Sequence, residues 1–201
     1  IAEEGVIEVK GGVFCRGSCT VAGSLRARRV EVEGDLQVEG DLDVEGDIEV
    51  EGSLDIRGSL RARSVEVEDT CRVGGLLKAG GIAVGGELES SKIEAEKVGV
   101  GGSIRCEELK AKGVSVGGTL ECERLEAEKC SVGGALIAGV AKGGRLNVGG
   151  VAKMSKAEVD FLAVGGALRV EEGSFRRLSV GGTLEAVKEL KVESLSVGGV
   201  A

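Results

Sequence analysis

Six cysteines, Cys15, Cys19, Cys71, Cys106, Cys122 and Cys130, are the residues of this 201-residue chain whose type best suits covalent or metal chemistry. An even number in a short secreted protein would suggest disulfides. Each of the six, however, takes a position that neighbouring repeats fill with Val, Leu or Ala, which is how small buried hydrophobes behave, and reduced core thiols are expected. Cys106 and Cys122 lie sixteen residues apart at the same point of successive repeats. Adjacent strands would place their Cα atoms ~4.8 Å apart, inside the disulfide range, but parallel in-register side chains have poor torsions for that bond, so a stacked pair of thiols is expected. The chain has no histidine, which removes the commonest general base and every His-ligated zinc site. Its Gly-Gly motifs neither open a helix nor precede Lys-Ser/Thr, so they do not read as phosphate loops. No catalytic, cofactor-binding or metal site is expected, and no cofactor.

What remains is a composition that restricts the fold severely. There is no Pro, Trp or Tyr and there are three Phe, against 36 Gly and a large supply of Val, Leu, Ala, Glu, Lys and Arg. A core built without large aromatics must be thin, repetitive and aliphatic. A net charge of −8 argues against a general nucleic-acid binder, whose affinity comes from clustered cations that displace counterions. No run of eighteen apolar residues exists, so no helical membrane span is expected; membrane association is otherwise left open, and no small-molecule substrate is indicated. The first residue is Ile and not Met, which suggests a processed or omitted N-terminal segment and hides any targeting signal. Scarce Asn and Gln beside abundant Glu, Lys and Arg match the bias of thermophile proteins.

The chain repeats from end to end. From Val32 to Gly58 the unit is six residues, VEGDLQ, VEGDLD, VEGDIE, VEGSLD; from Gly85 onward it is sixteen residues, marked by Gly-Gly pairs beginning at 85, 101, 117, 133, 149, 165 and 181, with a last pair at 198 after one inserted residue. Both reduce to one pattern: apolar-x-apolar pairs every five or six residues, from Ile7 and Val9 to Leu195 and Val197, becoming less clean at Ala141. Apolar side chains two apart share one face of a β-strand, whereas a helix would need sustained spacings of three and four. A strand this short must turn a corner after each pair, and three corners close a triangle. The fold class expected is therefore all-β: a single-domain parallel β-helix over 1–201, a triangular solenoid with three short strands per coil and about twelve coils. Coils of mostly 17–18 residues are expected over 1–75 and mostly 16 over 76–201. Absent proline fits strands with ladder partners above and below.

The ends are expected to be uncapped. IAEEGV precedes the first apolar pair and GGVA follows the last, with no helix or plug in either. An open terminal coil exposes a row of unpaired backbone groups that recruits other chains, so an end-to-end assembly interface is expected at Ile7, Val9 and Val13 on one side and at Leu190, Val192, Leu195, Val197 and Val200 on the other. Between Glu31 and Asp55 stand eleven acidic residues and no basic one. This acidic belt, with Asp35, Asp41, Asp43 and Asp47, lies between basic collars at Arg26, Arg28 and Arg29 and at Arg61 and Arg63. A solvated face is the simpler reading of such a charge run; the functional reading is possible lateral contacts between copies there, weakened by salt.

The runs VEGDLQVEGDLDVEGDIEVEGSLDIRGSLRARSVEVE and VGGSIRCEELKAKGVSVGGTLECERLEAEKCSVGG resemble the bactofilins, a polymer-forming cytoskeletal family built of short apolar-x-apolar steps with Gly at the corners. The resemblance implies a right-handed β-helix whose copies assemble end to end, without nucleotide, into non-polar scaffold filaments. The partner would be the chain itself, and the place the cytoplasm, which reduced cysteines also favour; an exported surface filament is the alternative. The chain departs from the family in its regular Gly-Gly coils, in about twice the usual number of coils, and in lacking a Pro-rich tail.

Two other readings are weighed. Residues 32–58 also resemble the hexapeptide-repeat acyltransferases, but that family relies on a catalytic His as general base, which this chain lacks. A β-solenoid binding module would show flat faces with rows of Thr or aromatics, and Thr stands only at 20, 70, 119 and 183.

Overall fold

The computed structural model describes residues 5–200. These form eighteen β-strands and, among the described residues, no helix. The fold is all-β, with parallel strands stacked as a β-solenoid. Two compact units, 1–102 and 103–201, are taken in turn.

Unit 1 begins with nine short strands: β1 (Val6–Glu8), β2 (Gly12–Cys15), β3 (Cys19–Val21), β4 (Ser24–Ala27), β5 (Arg29–Val32), β6 (Leu36–Val38), β7 (Leu42–Val44), β8 (Asp47–Val50) and β9 (Leu54–Ile56). Longer strands follow, β10 (Leu60–Val67), β11 (Cys71–Val84) and β12 (Leu88–Val100). Each of the first six short strands pairs in parallel with the third one on: β1 with β4, β2 with β5, β3 with β6, β4 with β7, β5 with β8 and β6 with β9. A chain that meets its own earlier strand after three steps has turned three corners, which is the triangular coil. The step is 17 residues at Leu25↔Leu42 and 18 at Val30↔Ile48, and falls to 16 at Leu77↔Ile93, where β11 meets β12.

Unit 2 has one strand per coil: β13 (Ile104–Val116), β14 (Thr119–Val132), β15 (Ala135–Val148), β16 (Val151–Val164), β17 (Leu168–Val180) and β18 (Leu184–Val197). Each carries three inward pairs, so the ladder runs unbroken through two corners and stops only at the Gly-Gly corner. The sixteen-residue step holds throughout, as in Leu120↔Leu136 and Leu146↔Leu162. It lapses once: Val170 pairs with Ala186 but Glu172 with Glu189, which places the inserted residue of the last coil in a bulge around Val187.

In both units burial alternates along the strands that have a neighbour on each side, and like stacks on like. Leu25, Leu42, Leu60, Leu77 and Ile93 form one buried column of unit 1; Val116, Val132, Val148, Val164 and Val180 form one of unit 2. Columns of aliphatic side chains fill the narrow core without aromatic bulk. Phe175 is the one buried aromatic, and its ring fits because Gly173, two residues earlier on the same inward face, has no side chain: a Cβ there would meet the ring and Leu190.

The Gly-Gly corners exist for close approach and not for unusual φ. Gly150 N donates to Gly134 O at 3.0 Å and Gly182 N to Gly166 O at 2.9 Å, and a Cβ on Gly182 would come 2.6 Å from Gly166 O. Only Gly143 has positive φ among the described residues, and at 159° it is nearly extended. Corners of unit 1 stack glycine on glycine too, as Gly58 N on Gly40 O (3.1 Å), and side chains add to them: Asp35 Oδ1 accepts from Ser53 N (2.9 Å), Asp41 Oδ1 from Ser59 N (2.7 Å), and Ser24 Oγ from Asp41 N (2.9 Å).

Candidate assembly edges and charged faces

The residues expected at the two assembly edges lie on the strands with a ladder partner on one side only. β1, β2 and β3 pair upward with β4, β5 and β6, and β18 pairs with β17; their other edges have no partner among the described residues. Side chains that are sealed elsewhere are open here. Ile7 is 44% exposed where Leu25, its neighbour in the column, is 2%; Leu195 is 49% exposed where Leu178 is 0%. Val9, Val13, Leu190, Val192 and Val197 are half-buried, and Val200 is exposed. Three exposed apolar residues were not anticipated from the sequence: Val6, Val187 and Phe14, whose ring lies over Gly12. Phe14 and Val6 belong to the outward parity of their strands, so the inward-pair rule passes over them.

The charged positions meet in a way that coil register alone decides. Arg26 lies over Asp43 (4.0 Å), Arg28 over Glu45 (3.7 Å), and Arg29 reaches Glu49 (2.8 Å) and Glu31 (3.5 Å). The first basic collar is therefore engaged by the acidic belt within its own unit. Asp35 and Asp41 accept corner N–H groups. Arg61, Arg63 and Asp47 enter no ion pair among the described residues. Exposed pairs of this kind stabilise by about 0–1 kcal/mol each, so they bear more on register than on stability.

The cysteines are free. Cys106 and Cys122 are register partners and both buried, and hydrogen bonding between the thiols together with burial pushes Cys106 far up. Burial pushes Cys71 up to about 12, and burial with Cys122 nearby pushes Cys130 up to about 12. Burial of this kind disfavours the thiolate, the form in which cysteine acts as nucleophile or ligand. Among the described residues no group of three or more Cys, Asp or Glu is placed to hold a metal ion. The buried Ser90 hydroxyl has two carbonyl acceptors for its single proton, Gly75 O (3.0 Å) and Lys92 O (3.1 Å), so it is satisfied at this corner.

One outward feature of unit 2 was not anticipated. Phe161 sits between Arg145 and Arg177 in register, with the guanidinium carbons 5.6 and 5.5 Å from the ring centroid. The sixteen-residue spacing of Arg145, Phe161 and Arg177 was the signal available for it.

The molecule so described is a β-solenoid whose distinctive surfaces are strand edges and ladders of charged side chains. Residues 2–78 match the family model of the bactofilins, described as polymer-forming cytoskeletal, and over that stretch the chain is bactofilin-like. The matched residues are the coils of 17–18 residues; the Gly-Gly run at 100–134 keeps the same fold but lies outside them. No curated protein and no solved structure matches the chain. No helix among the described residues is long and apolar enough to cross a membrane.

Proposed function

We propose that this chain is a structural protein whose copies join end to end into filaments, without nucleotide, as a bactofilin-like scaffold. The observation that carries the reading is the column of inward aliphatic side chains left open at each edge strand, Ile7 on β1 and Leu195 on β18. A second copy stacked on either edge would continue the same ladder and bury the same columns, with each coil meeting its neighbour as coils meet inside the units. Burying one half-exposed Leu or Ile fully contributes about 1 kcal/mol, half the value for a whole side chain, and several columns act together with a full coil of backbone hydrogen bonds. No step in this assembly calls for an enzyme activity or a cofactor. The family match supports a place in the cytoplasm.

Negative-stain microscopy and sedimentation of purified protein, with nucleotide and divalent cations removed, test the reading. Long polymers are expected, and Ile7→Asp or Leu195→Asp should each leave folded, short species. A protein that stays monodisperse and monomeric at high concentration overturns it.

A further inference from the structure

The two units differ in charge. Unit 1 holds 21 acidic and 12 basic residues, a net −9, while unit 2 holds 13 acidic and 14 basic, a net +1. Within each, like charges are stacked coil upon coil. In unit 1, Glu31, Glu49 and Glu66 are register partners, and Glu33, Glu51 and Glu68 follow directly after the paired Val32, Val50 and Val67. Arg29 engages Glu31 and Glu49. Glu33, Glu51, Glu66 and Glu68 enter no ion pair among the described residues, and all four are exposed.

Unit 2 carries the opposite ladder. Lys129, Arg145, Phe161 and Arg177 stack in register, and the three cations, all exposed, enter no ion pair among the described residues. Beside them runs an open groove whose floor is Ser131, Asn147, Ala163 and Ser179 with the Gly-Gly corners. Small floor residues leave the cations standing as a rim and let a flat face come close. Phe161 separates Arg145 from Arg177 and holds both guanidinium groups over its ring faces, which offsets part of their repulsion.

Like charges stacked directly on neighbouring strands destabilise a sheet. Arg29 and Phe161 offset only part of this cost within their own units, and each unit has the charge that the other lacks. Both ladders repeat at the same ~4.8 Å coil spacing, so carboxylates on successive coils can meet Lys129 and Arg145 in step, while Phe161 takes the next step and Arg177 the one after it. We propose that the carboxylate ladder of unit 1 in one copy docks on the cation-rimmed groove of unit 2 in a second copy, pairing molecules side by side. The floor hydroxyls and the Asn147 amide supply further donors to the incoming carboxylates. This lateral contact adds to the end-to-end reading but uses none of its residues.

The test uses two charge-reversed forms of the full chain, Glu33→Lys/Glu51→Lys/Glu68→Lys and Lys129→Glu/Arg145→Glu/Arg177→Glu, each checked for folding by circular dichroism. Lateral pairing is read as filament width and, for unpolymerised protein, as dimer by sedimentation; filament length reads the end contacts separately. The native chain should pair at about 0.05 M salt and separate at about 0.5 M, where exposed charges are screened within a few ångströms. Each reversed form should pair at least about tenfold more weakly, with filament length unchanged. An equimolar mixture of the two should pair again, because each now carries what the other needs. Pairing that survives in either form alone, that ignores salt, or that the mixture fails to restore overturns the proposal. Short but paired molecules would instead sink the end-to-end reading and leave this one standing.

Discussion

Units 1 and 2 solve the same problem, a narrow aliphatic tube wrapped in ladders, with different corners. Through β9, unit 1 uses steps of five or six residues, interrupts its strands at the bends, and adds Asp and Ser side chains to its corners, such as Asp41 on Ser59 N. Unit 2 shortens the step, keeps 13–14 residues in continuous strand, and leaves one corner per coil to stacked glycines. In both units a corner glycine lies against the carbonyl of the glycine one coil below, a Cβ on Gly58 coming 2.7 Å from Gly40 O and one on Gly182 2.6 Å from Gly166 O. Inward packing and close glycines are therefore shared, and the added side-chain caps of unit 1 are what differs.

The largest expected effect probes unit 2. Phe175→Ala should cost about 3–5 kcal/mol, the usual range for a buried aromatic, read as a fall in the denaturant midpoint. Adding Gly173→Leu to it recreates the Leu-x-Ala pair of Leu109 and Ala111, or of Leu125 and Ala127, and should recover most of the loss. A double variant no more stable than Phe175→Ala would show that the space over Gly173 is not the ring's seat. Next, Gly182→Ala should destabilise by about 1–3 kcal/mol through overpacking against Gly166 O, while Gly81→Ala, whose Cβ would have only Ser64 Oγ within 4 Å, at 3.8 Å, should change stability by no more than about 0.5 kcal/mol. Equal costs at the two sites would dissolve the contrast between close and open glycines. Asp41→Ala in unit 1 should cost about 0.5–1.5 kcal/mol by removing the acceptor for Ser59 N, and Asp41→Asn should recover part of it.

The smallest effect concerns pH. Glu158 is held below its ordinary value of 4.5 by hydrogen bonds from Lys142 and Lys156. Because its folded pKa is the lower one, its contribution is present above the unfolded value and fades as pH falls through the folded one. Glu158→Gln should thus lower the melting temperature slightly at neutral pH and not at pH 3. A difference that persists at pH 3 would mean packing and not charge.

Much of this was readable in the sequence, because the two-residue period states which side chains face inward. The pairs at Leu25, Cys71 and Cys106 are buried as expected, and even Ala141, where the pattern falters, is fully buried. What could not be read depends on neighbours in other coils. That Arg26 stacks on Asp43 follows from the 17-residue step between the apolar pairs at Leu25 and Leu42, but that Arg29 reaches both Glu31 and Glu49 depends on side-chain directions the apolar pattern does not carry. The ring of Phe175 over Gly173 was hidden for the opposite reason: both are single residues breaking an otherwise aliphatic column, and only their side-chain directions reveal the exchange. The inserted residue near the last Gly-Gly pair was countable, but its place at Val187 followed only from the bulge.

The uniform sixteen-residue coil of unit 2 has an evolutionary consequence. A gene segment encoding one whole coil can be duplicated or lost without disturbing the alignment of any surviving hydrogen bond, since every coil presents the same acceptors to whatever follows. Each such event changes the length by one ~4.8 Å increment, so descent by copying gives this architecture a ruler with fixed graduations.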